Sequence, residues 1–331
     1  MKLEDLKILV TGAGGFIGSH LSDALARNNE LVLVDDFSIG CRDNLSQVEG
    51  LANVRIVEAD ITDRERMIEL VEGIDVVFHL AISCLRTSLN HPVMSHDINA
   101  GGTLSLCLAS REHGVKRFLY VSSSEVYGTA ITAPMPESHP CNPTTVYGAS
   151  KLAGELYALA YHRTYGMPVT VVRPFNTYGP REPYEGARAE VIPRFFLRLR
   201  AGLAPVIYGD GSQTRDFTYV EDTVAGLQKA AECDELVGDV VNIACGHEVS
   251  IAEIAKLLAE MTGNEACKPQ RVAVRPGDVM RHYADVSKAR RLLDFQPQFD
   301  IQSGLRRTLE WFESHGIAER ASVESAAEPN W

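Results

Sequence analysis

Tyr147 and Lys151 stand four residues apart in Tyr147-Gly148-Ala149-Ser150-Lys151, a short way after Val121-Ser122-Ser123-Ser124-Glu125-Val126-Tyr127-Gly128. On a helix that spacing puts a phenol and an ammonium on one face, one turn apart. A phenol ionises at about pH 10 in water and is a poor base at neutral pH. A fixed positive charge a few ångströms away favours the phenolate and lowers that value. The product is a base able to take a proton from a sugar or alcohol hydroxyl. The upstream segment reads as a β-strand end that delivers hydroxyls (Ser122, Ser123, Ser124) and one carboxylate, Glu125. The spacing of Tyr147 and Lys151 is common on helices, and its weight comes from this upstream company.

The elements that must position these groups can be read in chain order. Residues 7–10 form a first apolar strand and 19–28 a helix. Between them Gly12, Gly15 and Gly18 make G-x-x-G-x-x-G. Small residues there let the backbone turn tightly and let a pyrophosphate approach the helix N-terminus, where N–H groups and the helix dipole favour negative charge. Residues 31–34 are a second strand with Asp35 and Asp36 at its end, about 20 residues after the glycines. A carboxylate there can accept both ribose hydroxyls of adenosine and repels a 2′-phosphate, which favours NAD over NADP. Asp35 directly follows the strand and is the better candidate; Asp36 is its solvated neighbour or a cap. A third strand (54–57) leads to Asp60 and Ile61, a candidate adenine contact, and to a helix over 63–72.

Residues 76–81 are a fourth strand and its exit, where His79 reads as packed or capped rather than as a base. Asn99 opens a helix that runs to about 113, and 118–121 is the fifth strand, which delivers the serines. After the helix of Lys151 comes a sixth strand (169–172). Residues 181–214 are loop-rich around a basic helix at 192–200. Residues 215–222 and the helix after them look like a return to the sheet, and 240–243 is another strand. Helices at 251–262, 287–293 and 302–315 alternate with short strands to the end. The strands are continuously apolar and alternate with helices, the signature of a parallel sheet covered on both faces. The expected architecture is α/β, a Rossmann-type doubly wound sheet with a smaller C-terminal α/β substrate domain. The first domain should comprise 1–178 and about 215–245, the second about 179–214 and 246–317, with a flexible tail over 318–331.

Composition narrows the class. The 331 residues are 45% hydrophobic and 23% charged, with a net charge of -12. Such a chain builds a sizeable core, and its acidic surface argues against nucleic acid or an anionic membrane as partner. An anionic ligand must then be met by a few placed arginines. No apolar run reaches transmembrane length, and the start, MKLEDLKILVTG, lacks the regions of a signal peptide. Seven cysteines stand singly, which points to a reducing cytoplasm and to neither a zinc site nor a disulfide framework.

Taken together the motifs resemble the extended short-chain dehydrogenase/reductase family in its nucleotide-sugar epimerase/dehydratase branch. The resemblance runs over nearly the whole chain: TGAGGFIGSHL, the Asp35 strand end, HLA at 79–81, SSSEVYG at 122–128, YGASK at 147–151, RPFNTYGP at 173–180, GDGSQTRDFTYVED at 209–222 and RPGD at 275–278. It implies a tightly held NAD that oxidises a nucleotide-linked sugar at C4 and is restored within the same cycle. By position, Tyr147 would take the sugar 4-OH proton, Lys151 would bind the nicotinamide ribose, and Ser123 would hydrogen-bond O4 and relay the proton. Phe16, Ile17, Leu80, Ala81, Asn99 and Pro174 would join the cofactor site. Asn176, Arg215 and Arg275 would hold the substrate diphosphate, Asp278 its ribose, and Tyr208 would join the same site. Guanidiniums suit this work because they bind phosphates bidentately.

The resemblance leaves the reaction open among 4-epimerase, dehydratase and decarboxylase. dTDP-glucose dehydratases place Asp-Glu after the active-site Ser/Thr, where this chain has Ser124-Glu125. The missing Asp puts that dehydration in doubt, while Glu125 keeps C5 chemistry available. A sugar carboxylate would need a cation, and Arg188, Arg181 and Arg86 are the candidates. Cys84, in the loop after the fourth strand, could face the sugar. The expected function is a UDP-sugar 4-epimerase, with a dehydratase or a UDP-glucuronate decarboxylase/epimerase using Glu125 as the rival. A non-catalytic NAD-binding regulator is the reading from another class, but such proteins typically lose the Tyr or the Lys. Relatives in this family pair as dimers through a four-helix bundle. Leu104, Leu108, Leu152, Leu156 and Leu159 have the spacing for such a face, and equally for packing on the sheet.

Overall fold

The computed structural model describes residues 1–274 and 279–320. Strand β1 (Lys7–Thr11) runs into helix α1 (Phe16–Leu25), then β2 (Glu30–Asp35), β3 (Val54–Glu58), α2 (Arg64–Val71) and β4 (Val76–His79). Two short helices, α3 (Leu85–Asn90) and α4 (Pro92–His96), pass through a π-helical turn at Asp97–Gly102 into α5 (Thr103–Glu112). β5 (Arg117–Val121), α6 (Val146–Tyr165) and β6 (Val169–Pro174) follow. The chain then leaves the sheet for β7 (Thr177–Tyr178), α7 (Val191–Arg200), β8 (Val206–Tyr208), β9 (Thr214–Arg215) and β10 (Thr218–Tyr219). It returns through α8 (Val220–Glu232) to β11 (Val240–Ile243). The last elements are β12 (Val249–Ser250), α9 (Ile251–Met261), β13 (Gln270–Val272), β14 (Arg281–His282), α10 (Ser287–Leu293), α11 (Ile301–Ser314) and α12 (Ile317–Arg320).

Seven strands form one parallel sheet in the order β11-β6-β5-β4-β1-β2-β3. The central strands are buried from end to end because both faces are covered. On one face Leu21, Leu25, Leu227 and Leu293 of α1, α8 and α10 pack with Ile8, Val10 and Leu33. On the other, Met67, Leu70, Leu106, Cys107, Ala158 and Leu159 of α2, α5 and α6 pack with Leu9, Val32, Phe118 and Tyr120. The sheet is the Rossmann-type, doubly wound arrangement that the continuous apolar strands predict. Strand order reverses between β1 and β4, and a crevice opens there at the carboxyl ends of the strands. A separate core gathers around Phe195, Phe196, Ile254, Leu258, Leu305 and Phe312 of α7, α9 and α11.

The structure corrects several expectations. α1 begins at Phe16 rather than at residue 19, so the glycine turn feeds the helix directly. α3 and α4 were not anticipated, and the helix expected from Asn99 is already under way in the π-helical turn. Residues 214–219 do not rejoin the sheet. β9 pairs with β12 and β14, β10 pairs with β7, and it is α8 that comes back to the sheet. Leu159 lies in the core and Leu152 packs against another buried cluster, whereas Leu104 and Leu156 are exposed. The expected tail begins as the short helix α12, anchored by buried Ile317; residues 321–331 lie outside the described part.

Helix α6 approaches β5 closely because Gly148 stands at its first turn. A methyl group there would lie 2.7 Å from the carbonyl oxygen of Glu125 and 2.9 Å from Cβ of Pro143. Thr145 caps the same turn, its hydroxyl accepting the Gly148 N–H at 3.0 Å. Gly148→Ala should therefore cost about 1–3 kcal/mol of stability, the usual range for overpacking a tight site. Urea unfolding monitored by circular dichroism measures it, and a variant as stable as the parent would show that α6 can shift freely.

Candidate active site

The site is built where β5 ends. Ser123 caps a 3₁₀ turn over Ser124–Tyr127, its hydroxyl accepting the Glu125 N–H at 3.2 Å. The close approach at Gly148 brings Tyr147 onto this turn, where the Ser123 hydroxyl is among the groups that act on its phenol. Burial pushes the phenol above its usual range. Ser123 pulls it back, while the negative forms of Glu125, Cys84 and Glu190 push it further up. A phenol lowered by Lys151 is the sequence expectation; in the structure burial raises it instead. Lys151 is fully buried. Its ammonium donates to the carbonyl of Val121 at 2.7 Å and sits 4.3 Å from the centre of the Tyr120 ring. Burial pulls its pKa down to about 7, with Glu155 opposing.

Behind these groups lies a polar layer that the sequence reading missed. Glu155 continues the face of Tyr147 and Lys151 by one more turn of α6 and is 1% exposed. Its carboxylate accepts the Ser122 hydroxyl at 2.7 Å and both Nε and Nη2 of Arg173, itself 4% exposed on β6. Arg173 also stacks over the Tyr127 ring at 4.6 Å. Tyr127 in turn donates to Asn242, whose amide donates to the carbonyl of Met135. This network holds part of the 128–145 loop against the sheet.

Ser124 is buried, and its carbonyl accepts a hydrogen bond from Nε2 of His282 at 3.0 Å. His282 packs on Phe175 with ring centres 5.1 Å apart, and burial holds it neutral, with a pKa of about 4. No sequence motif flagged His282, because its partner lies 158 residues away. His79 is packed as expected: one ring nitrogen bonds Thr11 and the other Thr103.

The crevice where strand order reverses is lined by Gly12, Gly15, Asp35, Asp36, Asp60, Ile61, Leu80 and Ala81, together with Ser38, Ile39 and Gly40. Gly12 has φ +70°, and a methyl group there would lie 2.7 Å from the Ala81 nitrogen, so only glycine fits. The N-terminus of α1, where Phe16 and Ile17 stand, has no side-chain cap. Asp35 is buried and accepts the N–H groups of Gly14 and Phe37, both at 2.8 Å. Burial raises its pKa. An uncapped helix N-terminus facing a glycine cradle, with a carboxylate at the next strand end, suits a dinucleotide. Asn99 is placed differently from the expectation. Its buried amide bonds Ser83, Ser95 and Ser150, so it ties the loop after β4 to α6 rather than reaching into the crevice. Pro174 closes β6, opposite Ile243.

A second cavity is lined by Asn176, Tyr208 and Arg215, as expected of them, and also by Arg86, Glu190, Arg194, Arg198 and Phe217. The side-chain oxygen of Asn176 is buried without a hydrogen-bond partner among the described residues. Arg275 and Asp278 lie outside the described residues. The three cations considered for a sugar carboxylate are each engaged. Arg86 grips Glu190 with two bonds, of 2.7 and 3.1 Å. Buried Arg181 pairs with Asp23 of α1 at 2.8 Å. Exposed Arg188 donates to the carbonyl of Ser38 at 2.9 Å, on the rim of the first crevice. Glu190, Arg194 and Arg198 escaped the sequence reading because no motif contains them. Among the described residues no group of three His, Cys, Asp or Glu side chains is placed to hold a metal, and no helix is long and apolar enough to cross a membrane.

The chain is similar to known proteins over most of its length. A UDP-glucose 4-epimerase of Mycolicibacterium smegmatis is 36% identical over 311 residues, covering 93% of this chain and 98% of that protein. A dTDP-glucose 4,6-dehydratase of an Actinoplanes species is 35% identical over 323 residues, covering 94% and 98%. The crystal structure of a UDP-glucuronic acid 4-epimerase from Bacillus cereus, in complex with UDP-glucuronic acid and NAD, superimposes with a TM-score of 0.87 at 32% identity, covering 94% and 100%. The GDP-mannose 4,6 dehydratase family model matches residues 9–308. The chain belongs to that family, within the nucleotide-sugar epimerase/dehydratase branch of the extended short-chain dehydrogenases/reductases.

Proposed function

We propose that this chain is an NAD-dependent 4-epimerase of a UDP-sugar whose sugar is uncharged. One juxtaposition carries the reading: the Tyr147 phenol within reach of Ser123 and Glu125, with Lys151 one helical turn away, in a chain that also lines a cavity with arginines. In this reading Asp35 receives the adenosine ribose, the Gly12–Gly15 turn and the N-terminus of α1 hold the pyrophosphate, and Lys151 reaches the nicotinamide ribose. When bound, NAD supplies an acceptor for the C4 hydride that returns it in the same cycle. Tyr147 takes the proton of the sugar 4-hydroxyl and Ser123 relays it. Asn176 and Arg215 hold the diphosphate, with Arg194 and Arg198 on the same wall.

The charge distribution supports a neutral sugar. Arg86, Arg181 and Arg188 are committed to Glu190, Asp23 and Ser38, while the groups acting on the phenol include the carboxylates of Glu125 and Glu190. A sugar carboxylate brought to that end would meet like charge. One observation favours a second reading, a dehydratase: Glu125 stands near enough to Tyr147 to raise its pKa, and a base at C5 would occupy such a place.

Incubation with UDP-glucose, UDP-N-acetylglucosamine, UDP-glucuronate and dTDP-glucose, followed by mass spectrometry, separates the readings. The expected result is a product of unchanged mass and new retention from a neutral UDP-sugar. Loss of water would transfer the assignment to a dehydratase, and loss of CO₂ from UDP-glucuronate to a decarboxylase. Under the epimerase reading Glu125→Gln keeps kcat within about threefold, because that residue then makes no bond specific to the transition state. Tyr147→Phe should lower kcat by about 10²–10⁴, the usual worth of a placed acid–base group. It should leave NAD bound through gel filtration; full turnover in this variant would remove Tyr147 from the reaction.

A homodimer through α4–α6 belongs to the same reading. Val93, Met94, Leu104, Leu156 and Tyr157 are exposed apolar residues on these helices, an arrangement that favours a covered face. Light scattering at micromolar concentration should give twice the 36.3 kDa chain mass. Leu156→Glu should shift it toward monomer; a parent protein that is only monomeric would remove the dimer.

A further inference from the structure

From this geometry we infer that Glu155 and Arg173 are positioning residues for the proton transfer: together they fix α6 to the strand end that carries Ser123, and Glu155 provides the negative charge beside which Lys151 remains an ammonium. The inference rests on the reading of Tyr147 and Lys151 given above. Tyr147, Lys151 and Glu155 recur every four residues and so share one face of α6. Lys151 holds the carbonyl of Val121 at 2.7 Å, and Glu155 holds the hydroxyl of Ser122 at 2.7 Å. The two residues immediately before Ser123 are thus each clasped by the helix that carries Tyr147. A change in either clasp moves the phenol relative to the Ser123 hydroxyl.

The charges around Lys151 can be followed element by element. From β4 comes His79, which burial keeps neutral. From β5 comes Tyr120, whose phenol burial keeps protonated and whose hydroxyl donates to the carbonyl of Lys151. From α6 come Tyr147, whose phenol burial pushes up and Ser123 pulls back, and Glu155. From β6 comes Arg173, bonded to Glu155. Glu155 is therefore the anion on which the buried ammonium depends, and it is shared with Arg173. A buried amine without such a partner gives up its proton at lower pH.

The sign follows directly. Removing the charge of Glu155 lets Lys151 deprotonate earlier, so activity that needs the ammonium is lost at lower pH. In Glu155→Gln the alkaline limb of the kcat profile should move down by about one pH unit. The assay is conversion of UDP-glucose, or of whichever of the four sugar nucleotides gives product. Because Glu155→Gln leaves Arg173 buried without its anion, it is paired with Glu155→Gln/Arg173→Met, which removes both charges and should show a smaller displacement in the same direction, since the opposing guanidinium is gone as well. Ser122→Ala, which removes one hydrogen bond and no charge, should lower kcat about three- to tenfold with KM unchanged, the mark of a lost positioning contact. Tyr147→Phe is run beside them. If Tyr147→Phe is inactive while the charge variants only scale the profile without moving it, and Ser122→Ala matches the parent, Glu155 and Arg173 are merely structural. If Tyr147→Phe turns over normally, the reading of the base itself fails.

Discussion

The buried ion pair between Glu155 and Arg173 is the constraint from which the rest of the site takes its shape. Two charges withdrawn from water are tolerated only when each finds its partner and its remaining hydrogen bonds. Here Glu155 takes the Ser122 hydroxyl besides Arg173, and Arg173 lies over the Tyr127 ring. Such a set admits one register of α6 against β5 and β6. A slip of one residue along the helix would leave both charges unpaired and turn Lys151 away from Val121. The same register sets Tyr147 against Ser123. The pair lies in the polar interior rather than in the apolar core, so its value is in specifying one arrangement more than in adding stability.

The link between the sheet and the second cavity follows a similar rule. Three arginines help tie the segment between β7 and α7 back to the dinucleotide-type half: Arg181 pairs with Asp23 on α1, Arg188 with Ser38 after β2, and Arg86 after β4 with Glu190. In each tie a guanidinium meets an oxygen contributed by the other segment. The Arg181 and Arg86 ties are the more sheltered, and these carry the energetic weight; the exposed Arg188 contact is screened by water. An acidic protein thus spends three of its arginines on its own architecture. The cavity keeps Arg194, Arg198 and Arg215 on its wall.

Much of the fold was legible because parallel strands buried on both faces must be continuously apolar, and residues 7–10, 31–34 and 118–121 are. The glycine turn, Asp35 and the Tyr147–Lys151 pair were legible because each depends on neighbours a few residues away. What could not be read depends on partners far along the chain. Arg86 looks available until Glu190, 104 residues later, is folded against it. Asn99 looks like a cofactor contact until Ser83 and Ser150 close on its amide. Residues 214–219 have strand composition, and only the third dimension shows that their partners are β7, β12 and β14 rather than the main sheet. The π-helical turn at Asp97–Gly102 arises where α4 and α5 join across Asn99, and no local propensity announces it.

The two ends of the proposed substrate would be held with unequal strength, and this bears on which reaction the site favours. At the diphosphate end the cavity's guanidiniums would make charge-assisted, directional bonds, the strong class of hydrogen bond. At the sugar end, Ser123, Cys84, Glu125 and Glu190, which act on the Tyr147 phenol, would offer a neutral sugar single hydrogen bonds that can be replaced after turning. A ligand pinned at one end and loosely held at the other can rotate about its anchor without losing its place. Epimerisation needs that rotation, because the second hydride transfer must reach the opposite face of the ring. A dehydratase needs the reverse, a sugar fixed so that one carboxylate stays aligned with C5. On the proposed reading Glu125 provides the weaker case for that fixation.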